Sequence, residues 1–235
     1  MSWNEYSEPE HALFSPSQPA WINYDAETFR KALANKRRAP LGTELHKWAF
    51  IQIELGQKVS SKKEFIKSFR TFIFQKYYSD KYGLSKFGKI MLKYSTTKFM
   101  PVDTVSSYIN DAISYKLTPE KKIRFISNPF SENSNDEVNF FGTSDAIKFQ
   151  DNMLIIFDLK TGTSPVHIEQ LMIYDALFCL NKKVDPLKIA HDLRIYQEND
   201  ILQATPSGEE IKAFMDKIVL FDSIMAEEDG GNRYE

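Results

Sequence analysis

Residues 139–162 read NFFGTSDAIKFQDNMLIIFDLKTG, and this stretch decides the fold. NFFGTSDAIKF (139–149) alternates or runs apolar and is predicted to be a strand. NMLIIFDLK (152–160) is a second strand, and Gln150-Asp151-Asn152 between them carries turn residues. Five apolar residues lead directly into Asp158-Leu159-Lys160. Side chains alternate along a strand, so Asp158 and Lys160 project from one face. A carboxylate and an ammonium at the end of a buried strand are costly unless they pair or bind something. Asp145 follows a glycine turn-former one strand earlier, and a hairpin register can set it beside the Asp158 end.

Working outward, KKIRFIS (121–127) is a third strand, and three successive strands suggest an antiparallel meander. Pro165 to Leu180 is predicted to be a helix with Pro165 in its first turn. Leu187 to Gln197 is a strand, and Glu209 to Met225 is an amphipathic helix with Ser207 as N-cap. Upstream the chain reads as helical. The predicted helices are 25–39 (stopped by Pro40), 43–55, 62–78, 84–94 and 101–115, with Gly83 and Gly88 as breakers. The expectation is a mixed α/β fold: a central mixed sheet flanked by helices behind a helical N-terminal half. Its parts are an extended arm (1–20), one domain (21–225) divided into a helical 21–118 and a sheet core 119–225, and a disordered tail (226–235). The default location is soluble and cytoplasmic. No apolar run approaches the roughly 20 residues of a membrane span, and the acidic start MSWNEYSEPE is no signal peptide.

Composition excludes some chemistries. One cysteine, Cys179, cannot build a disulfide framework, a zinc site or an iron–sulfur cluster within the chain. The formal net charge is −2, but its distribution is uneven. Residues 56–100 hold 11 Lys or Arg against Glu64 and Asp80 alone, an asymmetry that can mark a nucleic-acid face.

Two carboxylates, Asp145 and Asp158, could converge on a hard cation. Mg²⁺ or Mn²⁺ prefers oxygen donors and keeps several waters. Such an ion activates water and neutralises charge on a phosphodiester, and Lys160 can orient that water or stabilise the pentavalent state. D-x-K triplets are nevertheless common. Read alone, Asp158 and Lys160 are equally a plain same-face ion pair, and Asp145 simply ends a turn.

Four elements in order resemble the RecB-like branch of the PD-(D/E)XK nucleases, in a phage-type form. They are Gly42-Thr43-Glu44-Leu45-His46, Gly142-Thr143-Ser144-Asp145, Ile155 to Gly162 with its D-x-K-T-G, and Gln170-Leu171-Met172-Ile173-Tyr174. HALFSPS (11–17) resembles the opening of phage-associated members. The resemblance implies a restriction-endonuclease-like core. It makes His46, Asp145, Asp158 and the Leu159 carbonyl metal ligands, and Lys160 catalytic. It has Gln170 and Tyr174 lining the site. It also implies a role in DNA recombination, repair or phage DNA processing, with a single-strand annealing protein as a possible partner. The chain departs from the family in two ways. Phe50 stands where many relatives carry a glutamate, with Glu54 a turn further on, and the four cysteines of the cluster-bearing relatives are absent.

On the residues alone, His167, Gln170 and Tyr174 share one helical face, which is either a lining of the site or a solvated surface, and His167 is a candidate for contacting DNA. In the basic stretch, Phe65, Phe69 and Phe72 have core spacing, whereas Lys76, Tyr77, Tyr78, Lys81 and Tyr82 are the candidates for contacting DNA. The leading expectation is a metal-dependent deoxyribonuclease, an exonuclease first. A structure-specific endonuclease and a catalytically retired DNA-binding or assembly protein are the alternatives.

Overall fold

The computed structural model describes residues 23–95, 100–125 and 140–231. The expected arm, the HALFSPS opening and the last four residues lie outside the described residues. Helices α1 (Ala26–Glu54) and α2 (Lys62–Tyr77) come first, followed by a short hairpin of β1 (Tyr78–Ser79) and β2 (Gly83–Leu84). Then come α3 (Lys86–Tyr94) and α4 (Val102–Tyr115), and a sheet of β3 (Thr118–Phe125), β4 (Phe140–Gln150) and β5 (Met153–Lys160). Helix α5 (Glu169–Lys182), β6 (Ala190–Gln197), β7 (Asp200–Ala204) and α6 (Gly208–Gly231) complete the chain.

The five strands lie in the order β3-β4-β5-β6-β7. Every neighbouring pair is antiparallel except β5 and β6, which α5 joins as a parallel crossover. The sheet is therefore mixed, as the strand–helix–strand order predicted. Strand β5 is buried on both faces, as expected where helices cover a sheet on both sides. Ile155, Phe157 and Leu159 join Leu45, Trp48, Phe65, Phe69 and Ile109 of the N-terminal helices in one core. Leu154 and Ile156 join Leu171, Leu177 and Ile211 of α5 and α6 in a second. The i, i+4 spacing of Phe65 and Phe69 was thus a core signal, and both rings pack edge-on to Trp48.

Several expectations are corrected. Pro40 does not stop a helix: α1 runs through it for 29 residues. A proline removes one intrahelical donor, but Leu41, Leu45 and Trp48 just beyond it are all buried, and that packing outweighs the lost bond. Gly88 lies within α3 rather than breaking a helix, because a Cβ there would meet Tyr77 Cβ at 2.7 Å. Pro165 and His167 precede α5 instead of lying on it. The side chain of Gln197 donates to the carbonyls of Gly162 and Ser164, both at 2.8 Å, and ties that irregular segment to the end of β6. At Leu187 the chain forms a 3₁₀ turn, Pro186–Lys188, capped by Asp185, so β6 starts at Ala190. Strand β7 was not foreseen. It follows a two-residue turn at Glu198 and Asn199, whose φ values of 49° and 66° suit a hairpin. Helix α6 continues to Gly231, into the expected disordered tail, since Ala226-Glu227-Glu228 contains no helix breaker. The capping box at its start is as read: Ser207 N donates to Glu210 Oε2 at 2.8 Å, and Glu210 N to Ser207 Oγ at 3.2 Å.

Candidate active site

The β4–β5 hairpin turns at Asp151 and Asn152, both with positive φ. This turn fixes the register Ala146↔Phe157, which sets Asp145 beside Asp158. Asp145 Oδ2 accepts a 2.7 Å hydrogen bond from the Leu159 amide. Lys160 Nζ lies 3.2 Å from Asp158 Oδ1 and 3.0 Å from Oδ2. The contact to Oδ2 has the distance of an ion pair but not the angle of a hydrogen bond, so this buried oxygen has no donor.

Helix α5 supplies the next layer. Gln170 Oε1 accepts from Lys160 Nζ at 3.2 Å, and Gln170 Nε2 lies 3.5 Å from the Tyr174 hydroxyl. Lysine, glutamine and tyrosine therefore form one polar chain from β5 across α5. Two motif glycines owe their identity to close approach. A Cβ at Gly142 would stand 2.3 Å from Tyr174 Cε1, and one at Gly42 would stand 2.5 Å from Thr161 Oγ1. The first lets β4 and α5 meet, and the second lets α1 meet the end of β5.

Helix α1 brings His46, whose Nδ1 lies 3.6 Å from Asp145 Oδ2. Burial lowers the imidazole pKa, Asp158 raises it and Lys160 lowers it again, with a net depression. His46 is then a neutral donor near pH 7, the state a metal ligand requires. Asp145 is displaced in the opposite sense. Burial, with Asp158 second, pushes its carboxyl up to about 7. Two neighbouring carboxylates with one buried oxygen lacking a donor are a poor arrangement for an apoprotein and a fitting one for a hard cation. The cage is not closed, however. Among the described residues, no group of three or more His, Cys, Asp or Glu donors is drawn tightly enough to hold an ion as it stands.

His46, Asp145, Asp158, Leu159, Lys160, His167, Gln170 and Tyr174 all line one cleft of about 690 Å³. His167 reaches it from the loop before α5. Two contributors escaped the sequence reading. Gln197 clamps the loop over the cleft. Glu120, in β3, lines adjoining hollows with His46 and Asp145. Its φ of 48° is an uncommon conformation for a side chain of this kind. The expected strand begins at Lys121, whereas β3 begins at Thr118, so nothing in the local pattern drew attention to Glu120. Glu54, one turn beyond Phe50, is exposed at the end of α1.

The basic aromatic residues separate into two groups. Lys76 Nζ pairs with the buried Glu44 at 2.6 Å, and Glu44 also binds Lys47 at 3.3 Å. Burial disfavours the Glu44 carboxylate, but Lys76, Tyr77 and Lys47 outweigh it and hold the pKa below its ordinary value. Tyr77 packs on Phe87 and is tied to Glu44 as well. Lys76 and Tyr77 therefore have structural partners, while Tyr78 and Tyr82 are exposed.

No family model, no curated protein and no solved structure matches the chain. Among the described residues, no helix is long and apolar enough to cross a membrane.

Proposed function

We propose that this chain is a metal-dependent deoxyribonuclease of the RecB-like PD-(D/E)XK type, hydrolysing phosphodiester bonds in DNA. The observation that carries the reading is the buried Asp158 Oδ2, left without a hydrogen-bond donor beside Asp145 and Lys160 at adjoining strand ends. Asp145, Asp158, His46 and the Leu159 carbonyl are the groups that would hold Mg²⁺ or Mn²⁺. When bound, the ion supplies charge neutralisation and an acidified water. Lys160, one-third exposed and held by Asp158 and Gln170, lines the cleft and would meet a bound phosphate with its ammonium. Tyr174 and Gln170 keep that ammonium from swinging away. His167 offers a donor at the rim. The loop 161–168, clamped by Gln197, lines one side of the cleft and would flank a sugar-phosphate backbone.

The test is Mn²⁺-dependent digestion of end-labelled linear DNA and covalently closed circles, with Asp158→Asn and Lys160→Ala beside the wild type. Loss of linear DNA with surviving circles and inert variants supports an exonuclease. Cutting of circles makes it an endonuclease with the same site. Cleavage of neither sinks the reading. A second reading, a retired nuclease fold that binds DNA or organises an assembly, is favoured by the open donor set. Calorimetric titration with Mn²⁺ separates them, since a retired site binds no ion through Asp145 and Asp158.

A further inference from the structure

We propose that the α2–hairpin–α3 unit is a binding surface for single-stranded nucleic acid, in which Phe74, Tyr78 and Tyr82 stack on unpaired bases. The side chains of Phe74 and Tyr78 stack on each other at 4.9 Å and 21°, yet remain 47% and 45% exposed. Tyr82, at the hairpin tip, is 77% exposed with the Lys81 ammonium 5.1 Å from its ring centroid. Large aromatic rings held at a surface in this way cover no core, and soluble proteins expose such patches mainly where something docks.

The charge around the patch identifies the occupant. From Lys62 to Tyr94 the chain carries nine Lys or Arg and two acids, Glu64 and Asp80. On α2, Lys63, Lys67, Arg70 and Phe74 recur every three or four residues, Arg70 is bonded to the Leu92 carbonyl and Ser95 Oγ, and Tyr78 at the start of β1 continues the row by stacking on Phe74. Lys67, Arg70, Thr71 and Phe74 line a shallow groove of about 340 Å³ against Leu92 of α3. A polyanion whose monomers present flat π-faces matches such a stripe. A duplex matches only its charge, because its bases are stacked on one another.

The surface is also connected to the cleft. Buried Glu44 holds Lys47 and Lys76 side by side, and Tyr78 follows the Tyr77 that is bound to Glu44. Lys47 lines the hollow that shares His46 and Thr161 with the cleft. A strand leaving the cleft past His46 meets Lys47, and Glu44 ties that residue to the Lys76–Tyr78 segment that carries the rings. As a substrate assignment, an unpaired strand feeding the cleft, this rests on the nuclease reading. As a binding surface it does not.

The experiment is fluorescence anisotropy of the full chain in EDTA, so that no cleavage contributes. The probes are a labelled oligothymidylate, a duplex of equal length and an abasic strand of equal charge. Stacking contributes about 1–3 kcal/mol per base, equivalent to about a five- to 150-fold change in affinity for each base lost. We expect the abasic strand and the duplex to bind at least tenfold more weakly than oligothymidylate. Phe74→Ala/Tyr78→Ala should lose a similar factor for oligothymidylate alone, with an unchanged salt slope. Tyr78→Phe should retain binding. Equal affinity of the wild type for the thymidylate and abasic strands overturns the proposal without relying on any variant's fold. So does binding to neither, which would leave the patch to an acidic protein partner. Binding as expected without Mn²⁺-dependent cleavage would sink the nuclease reading and leave this surface standing.

Discussion

Asp145 and Leu159 are joined across the β4–β5 pair by a 2.7 Å bond from the main-chain amide to Oδ2, which keeps the carboxylate beside Asp158. The hydrogen bond favours the charged form, while burial and Asp158 oppose it more strongly, and the pKa rises to about 7. A carboxyl whose folded pKa is raised contributes stability below its unfolded value of 3.8, and that contribution is lost as pH climbs through the folded value. Asp145→Asn keeps the acceptor and removes the charge. In EDTA the variant's stability relative to wild type should rise by about 1–3 kcal/mol between pH 5 and pH 8. Denaturant melts at both pH values check this. A constant difference would show that the charge is not the cause.

Gly142 and Tyr174 make a size-coupled pair. Gly142→Ala places a methyl 2.3 Å from Tyr174 Cε1, so the ring must leave its place beside Gln170. Overpacking of this kind costs about 1–3 kcal/mol. Gly142→Ala with Tyr174→Ala should recover most of that stability, but not the Gln170 contact. A double-mutant cycle on thermal unfolding reads the coupling, and strict additivity would refute it.

Gln197 is the clamp of the loop over the cleft. Gln197→Ala removes two 2.8 Å donor contacts, to Gly162 and Ser164. Global stability should fall by only about 1 kcal/mol, while hydrogen exchange of residues 161–168 accelerates. Unchanged exchange in that loop would show that something else holds it.

Glu120 stands with a positive φ beside His46 and Asp145. Strain at such a place is retained where function needs it. Glu120→Gly relieves the backbone and should gain about 1 kcal/mol, while Glu120→Gln leaves the strain. Both should weaken Mn²⁺ binding several-fold by calorimetry. Undiminished affinity in both would remove Glu120 from the metal environment.

A second buried cluster lies away from the cleft. His191 Nδ1 is 2.7 Å from Asp175 Oδ2, and its Nε2 is 3.1 Å from the Pro186 carbonyl. Burial disfavours the imidazolium, but Asp175 and Pro186 outweigh it and raise the pKa. Burial raises that of Asp175 too, against the pull of His191. The folded pair therefore holds a proton more tightly than the unfolded chain does. Its contribution is complete below the unfolded histidine value of 6.5 and declines as pH rises through the folded value. The destabilisation caused by His191→Ala should therefore be larger at pH 6 than at pH 9, as read by chemical denaturation. The opposite trend would contradict the assignment.

The sequence by itself determined the elements that depend on local chemistry. The alternating run around Asp145, the continuous apolar run into Asp158, the turn at Asp151-Asn152 and the Phe65–Phe69 spacing each specify their structure within a few residues. So does the Ser207–Glu210 capping box. Because a hairpin register follows from its turn, the pairing of Asp145 with Asp158 was legible as well. Tertiary structure decided what local signals could not. Pro40 is a helix stop by propensity, but burial of Leu41, Leu45 and Trp48 carries α1 through it. Lys76 and Tyr77 look identical in sequence to Tyr78 and Lys81, but Glu44, 32 residues before Lys76, claims the first two. Glu120 and Gln197 join the site only through sheet pairing and a loop contact. A pattern in the chain reports periodicity and turn chemistry, whereas the partner of a charge is set by which distant surfaces burial brings together.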